Sequence, residues 1–144
     1  PEGQRKTLNA GIESGSEKIR QEMRRPKTNK ELITFLEVCK DHGININIYL
    51  LIGLPHETSM DFKESIKLLG GESQERNVVY IYPYIGTDMY DVATETGSVE
   101  STGKYFYERR APIYDSPAYP KCKVRRDYFC GFMYIKEYGH GIKF

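Results

Sequence analysis

Three carboxylates, Glu13, Glu57 and Asp88, stand in glycine-containing turns: Gly11-Ile12-Glu13-Ser14-Gly15-Ser16, Gly53-Leu54-Pro55-His56-Glu57-Thr58 and Gly86-Thr87-Asp88. An apolar or β-branched run precedes each turn and a helical pattern follows it. Such a turn offers backbone N–H groups at a helix N-terminus, where negative charge is stabilised. The neighbouring carboxylate accepts hydrogen bonds from hydroxyls. Together these suit a ligand with an anionic tail and hydroxyl groups, such as a charged nucleoside. Arg24 and Arg25 follow the first turn by one helix length, and a guanidinium there matches a ligand carboxylate in bidentate fashion. His56 lies within the second turn, either facing substrate or idle in solvent. Glu13 and Glu57 also have the composition of a carboxylate pair, with a separation that spacing does not set. Hydrolytic machinery has no support: GxSxG, HExxH and the P-loop are all absent from the sequence.

The elements that would position these groups recur at roughly 35 residues, the length of one strand-plus-helix unit of a parallel fold. Parallel α/β folds place ligands at such strand-to-helix turns. Three units do not close a barrel. The expected fold is therefore α/β, a partial (β/α) barrel fragment of about three parallel strands with flanking helices and a C-terminal helical extension. Strands are expected at Leu8–Ile12, Ile44–Ile52 and Asn77–Tyr82. Capping-box patterns at Ser14/Glu17, Thr28/Glu31 and Thr58/Asp61 start the helices. The first helix should end near Arg25-Pro26. The second carries Leu32, Phe35, Leu36 and Cys39 on one stripe and stops at Gly43. The third carries Phe62, Ile66 and Leu69 and ends at Gly70-Gly71, and a short helix runs from Thr87 to about Thr96.

Along the middle strand Ile44, Ile46, Ile48, Leu50 and Ile52 point one way, toward the helices. Asn45, Asn47, Tyr49 and Leu51 point the other, either into a lumenal site or onto a partly solvated face. Residues 1–97 form the barrel piece and 98–144 a Tyr-rich loop with a helical tail. That tail, Lys121–Tyr138, should bury Val124, Tyr128 and either Phe132 or Ile135. Lys121, Lys123, Arg125 and Arg126 read as its solvated face rather than a phosphate site.

The 144 residues carry a net charge of +1, which gives no bulk attraction to nucleic acid or anionic membrane. No apolar run is long enough to span a bilayer. Cys39, Cys122 and Cys130 form no CxxC and read as two core cysteines and one surface cysteine. Their odd, scattered pattern fits a reducing, cytoplasmic setting. The start at Pro1, without Met or a signal-like stretch, is expected of a fragment.

The strings LNAGIESGSEKIRQEMRRPKT, HGININIYLLIGLPHETSMDF and VVYIYPYIGTDMYDVATETG occur in that order. Together they resemble the second half of a radical S-adenosylmethionine (SAM) domain, closest to the subfamily associated with cobalamin-binding domains. The resemblance covers roughly Lys6 to Gly97 and implies the fourth to sixth strands of a (β/α) barrel. It implies that Glu13 and Ser14 bond the SAM ribose or amino group and that Arg25, ahead of Arg24, pairs its carboxylate. It also implies that Ile52 and Gly53, and the backbone from Tyr82 to Tyr84, border adenine. His56 stands where that pattern has Gly, and Ile85 where it has Pro. The family's CxxxCxxC motif, which ligates a 4Fe–4S cluster, is not in this sequence. The cluster ligands are therefore expected outside the chain, in a missing N-terminal half of the same protein, and the chain alone is expected to be inert. The implied parent cleaves SAM reductively for methyl transfer or oxidative cyclisation of a small molecule, with cobalamin in a separate domain where that fusion exists. Two other readings are a fragment of a tRNA- or ribosome-modifying methylthiotransferase and a non-catalytic binding or scaffolding remnant. Nucleic acid is not favoured as a partner, and self-association through an exposed sheet edge is expected.

Overall fold

The computed structural model describes residues 6–69, 76–100 and 111–138. The three expected strands form one parallel sheet, β1 (Thr7–Glu13), β2 (Asn45–Ile52) and β3 (Arg76–Tyr80), in the order β1-β2-β3. Between β1 and β2 lie α1 (Glu17–Glu22) and α2 (Asn29–Asp41), and between β2 and β3 lies α3 (Ser59–Leu69). After β3 come α4 (Asp88–Thr96), a short antiparallel pair β4 (Ser98–Val99) and β5 (Tyr114–Asp115), and α5 (Lys121–Tyr138). The architecture is α/β, as expected of a partial barrel.

The alternation along β2 sorts its side chains. Ile46, Ile48, Leu50 and Ile52 are buried in one apolar cluster with Phe62 and Ile66 of α3, Val124 of α5 and Cys39 of α2. Three helices thus cover one face of the sheet, and burial of that face is the main stabilising term. On the opposite face Asn47 is half-buried, with its amide donating to Asn9 Oδ1 at 3.1 Å, and Tyr49 is exposed. A second cluster, Ile19, Leu54, Ile81, Ala93 and Tyr114, joins α1 and α4 to the loops after the strands. Leu51 packs against this cluster from the far side of β2.

Both early helices end in a Schellman motif. At α2, Gly43 takes the left-handed position (φ 63°), its N–H bonds the Lys40 carbonyl, and the Ile44 N–H bonds the Cys39 carbonyl. At α1 the same two bonds run from Arg24 to Gln21 and from Arg25 to Arg20, with Arg24 itself left-handed at φ 57°. This turn ends α1 at Glu22, earlier than the expected stop at Pro26.

Other expectations need correction. The Thr28/Glu31 box forms, and Thr58 and Asp61 exchange the same reciprocal bonds. The Ser14/Glu17 box does not: Ser16 is the N-cap, and Glu17 instead accepts from the Asn29 N–H at 2.5 Å. The third strand stops at Tyr80, although the Ile81 N–H still bonds the Ile52 carbonyl. The loop after Gly97 contains the β4–β5 pair, which its composition did not signal. Cys39 alone is a core cysteine, and Cys122 and Cys130 are both exposed. The Gly70-Gly71 stop and the side chains of Leu69, Phe132 and Ile135 lie outside the described residues.

Candidate functional site at the C-terminal ends of the strands

The turn after β1 is shaped by an irregularity. The register between β1 and β2 slips between Gly11 and Glu13, and Glu13 adopts a left-handed φ of 67°. That conformation swings the Glu13 carboxylate back over Gly11. A Cβ on Gly11 would lie 2.6 Å from Glu13 Oε1, so glycine there makes room for the carboxylate. Arg25 Nη1 meets the same oxygen at 3.3 Å. Glu13 and Arg25, both expected to bond one ligand, therefore stand together on the uncovered face of the sheet. Tyr49, the register partner of Gly11, lies beside them on β2.

Ser14 turns the other way. It is fully buried, its hydroxyl lies 3.3 Å from Ser65 Oγ, and it accepts from the Ser16 N–H. The turn is seated on α3 at close quarters: the Gly15 N–H donates to Ser65 Oγ at 2.6 Å, and a Cβ on Gly15 would lie 2.3 Å from Ser65 Cα. Ser16 completes the seat by donating to Asp61 at 2.8 Å. Burial works against ionisation of Asp61, but the hydroxyls of Thr58 and Ser16 overcome it and hold its carboxyl below the usual range. Arg20 locks the turn from beneath. Its guanidinium is buried and donates to the carbonyls of Ser14 and Lys27 and to Asn29 Oδ1. Nothing in the spacing of Arg20 distinguished it from a solvated helix cation. Its three acceptors come from a turn and a loop that only the fold brings around it.

The turn after β2 has a different interior. Glu57 Oε2 accepts from the backbone N–H groups of Gly53 (2.6 Å) and Leu54 (3.1 Å). Its Oε1 is buried with no partner among the described residues. Burial pushes the Glu57 carboxyl up to about 8; the two backbone donors oppose this, and the Asp61 charge adds to it. Gly53 is left-handed (φ 83°), and a Cβ there would press on Val124 of α5 at 3.2 Å. Ile52 points into the helix-side core. His56, the departure from Gly noted above, is also left-handed (φ 61°), and its ring lies 3.7 Å from Glu22. Glycine adopts that backbone without strain, which gives the pattern's preference a physical reason.

After β3, Tyr82 and Tyr84 pack with ring centroids 5.2 Å apart and a tilt of 47° between the rings. Asp88 pairs with Arg24 at 3.1 Å across the rim. Glu13, Arg25, Gly53, Tyr82 and Tyr84 thus lie at the same end of three neighbouring parallel strands, whereas the side chains of Ser14 and Ile52 are turned inward. The arrangement can exchange the Glu13–Arg25 pair for a zwitterionic or carboxylate-and-hydroxyl ligand. Among the described residues no group of three His, Cys, Asp or Glu side chains comes together to hold a metal ion, and no helix is long and apolar enough to cross a membrane.

Residues 2–69 match the family model of the Radical SAM superfamily. The chain is also similar to the uncharacterized protein MJ0966 of Methanocaldococcus jannaschii, with 28% identity over 109 residues. That alignment takes in 74% of this chain and 24% of the relative, so the chain spans about a quarter of that protein's length. The superfamily match contains the turns that carry Glu13, Arg25 and Gly53.

Proposed function

We propose that this chain is the nucleoside-binding half of a radical SAM enzyme. The observation that carries the reading is the Glu13 carboxylate held over Gly11 against Arg25, on the open face at the C-terminal end of a parallel strand. It lies within the segment that matches the superfamily model. The donor set fits the organic end of SAM: Arg25 takes the methionine carboxylate in place of Glu13, and Glu13 accepts from the ammonium group or the ribose hydroxyls. Ser14 holds the turn through Ser65. The Ile52-Gly53 turn and the backbone from Tyr82 to Tyr84 border the adenine. The 4Fe–4S cluster supplies the electron for reductive cleavage of SAM, and its ligands come from another part of the protein. Within this reading the substrate is a small molecule, and the reaction is methyl transfer or oxidative cyclisation, with a cobalamin domain in the former case. Free cysteines and an oxygen-sensitive cluster suit a reducing cytoplasm.

The test is the full-length protein, reconstituted without oxygen with iron, sulfide and a reductant, then given SAM. Formation of 5′-deoxyadenosine or S-adenosylhomocysteine is expected, and Arg25→Gln should weaken SAM binding about ten-fold or more. A cluster-loaded protein that yields neither product overturns the reading.

A further inference from the structure

We propose that the pocket between Arg24, His56 and Asp88 is a second binding site, separate from the Glu13–Arg25 pair, for a small carboxylic acid with an apolar body. The cavity is about 330 Å³, within the range of small-molecule sites. All three rim connections build it: the end of α1, the turn after β2 and the start of α4. This goes beyond the cofactor reading and stands whether or not that reading holds.

Two adjacent arginines carry the argument. The left-handed turn at Arg24 separates them, so that Arg25 reaches back to Glu13 while Arg24 reaches across to Asp88. In this structure they serve different partners. A left-handed non-glycine residue costs about 1–2 kcal/mol, and such strain is retained where a site uses the geometry. Three non-glycine residues have positive φ among the described residues, and two of them, Arg24 and His56, line this cavity.

The lining supplies the chemistry. Met23, Leu54, Met89 and Val92 provide apolar walls, and the two thioethers adapt to varied apolar shapes. The charges stand at the mouth. Arg24 and Asp88 are 85% and 82% exposed, so their pair contributes little and exchanges readily for a ligand carboxylate that binds the guanidinium fork bidentately. The always-charged, planar guanidinium of Arg24, not the His56 ring beside Glu22, is the group that a ligand carboxylate takes. Glu22 and Asp88 line the cavity too; the Glu22 carboxylate stays beside His56, and the exposed Asp88 is left to water when a ligand carboxylate takes Arg24.

The experiment uses the full-length protein with two probes of equal shape, 4-phenylbutyrate and 4-phenylbutyramide, followed by calorimetry or ligand-observed NMR. The acid is expected to bind about ten-fold tighter than the amide. Arg24→Gln should abolish that difference. Asp88→Asn, which frees Arg24, should tighten the acid about three-fold, a gain that misfolding does not produce. Arg25→Gln and added SAM should leave acid binding unchanged. The proposal is overturned by equal binding of acid and amide, by no binding of either, or by displacement of the acid by SAM. Because the readout is acid binding and not SAM cleavage, its failure is distinct from failure of the cofactor reading.

Discussion

The turns after β1 and β2 look alike as strings, a strand, a glycine and then a glutamate, and they use that glutamate in opposite ways. Glu13 is thrown onto the open face and pairs with the exposed Arg25. Glu57 is folded beneath its own turn, bound to two backbone N–H groups and shielded from water. The difference comes from what lies behind each turn. Behind the first, Ser65 and Arg20 already bond the backbone, so the carboxylate is not needed there and turns out to Arg25. Behind the second no such side chain stands among the described residues, and Glu57 does that work itself. A carboxylate in a rim turn is therefore left to point outward only where something else supports the turn.

The largest expected effect falls on that support. Gly15→Ala drives a Cβ into the α3 backbone and should cost about 3 kcal/mol in denaturant unfolding; a cost under about 1 kcal/mol would mean the first turn is not seated on Ser65. Glu57→Ala should cost about 2 kcal/mol, because two buried N–H groups lose their acceptor. Glu57 also makes stability depend on pH. Its folded value of about 8 exceeds its ordinary 4.5, so the unfolded chain loses its proton first and stability falls as pH rises from about 4.5 to 8. In Glu57→Gln this decline should disappear from pH-dependent melting curves; an unchanged slope assigns it to another group. Next come the two helix ends. Arg24→Gly should stabilise the chain by roughly 0.5–1 kcal/mol, and Gly43→Arg should destabilise it by a similar amount. Equal and opposite shifts in Tm would isolate the conformational cost of placing an arginine on the rim. Glu13→Gln should be the mildest, below about 0.5 kcal/mol, while still weakening SAM binding to the full-length protein. A large loss of stability would make Glu13 a structural twin of Glu57.

The periodicities that a strand or helix carries within itself were legible. The alternation of Ile46, Ile48 and Leu50 against Asn47 and Tyr49 predicted which face of β2 is covered, and the Leu32–Cys39 stripe predicted the inner side of α2. Thr28 with Glu31 capped as expected because both partners lie within one turn. What escaped was set by distant chain. Ser14 reads like an N-cap, but Ser65, 51 residues away, claims its hydroxyl. The β4–β5 pair has two residues per strand, too few for any alternation to register. Arg20 and Arg25 are indistinguishable as letters, and only the Schellman turn between them sends one inward and the other out. The resemblance indicated which residues to watch, and the geometry sorted those that point outward from the turn from those that hold it.

Val124 of α5 lies against Gly53, and this has a consequence for the order of synthesis. A chain leaving the ribosome can pair β1, β2 and β3 once residue 80 has emerged, since domains assemble from the N-terminal side. The turn after β2, however, keeps one bare flank until α5 arrives more than forty residues later. The ligand-facing rim is thus the last part of the sheet to be finished, and a polypeptide released before Val124 would carry its strands without a completed cradle.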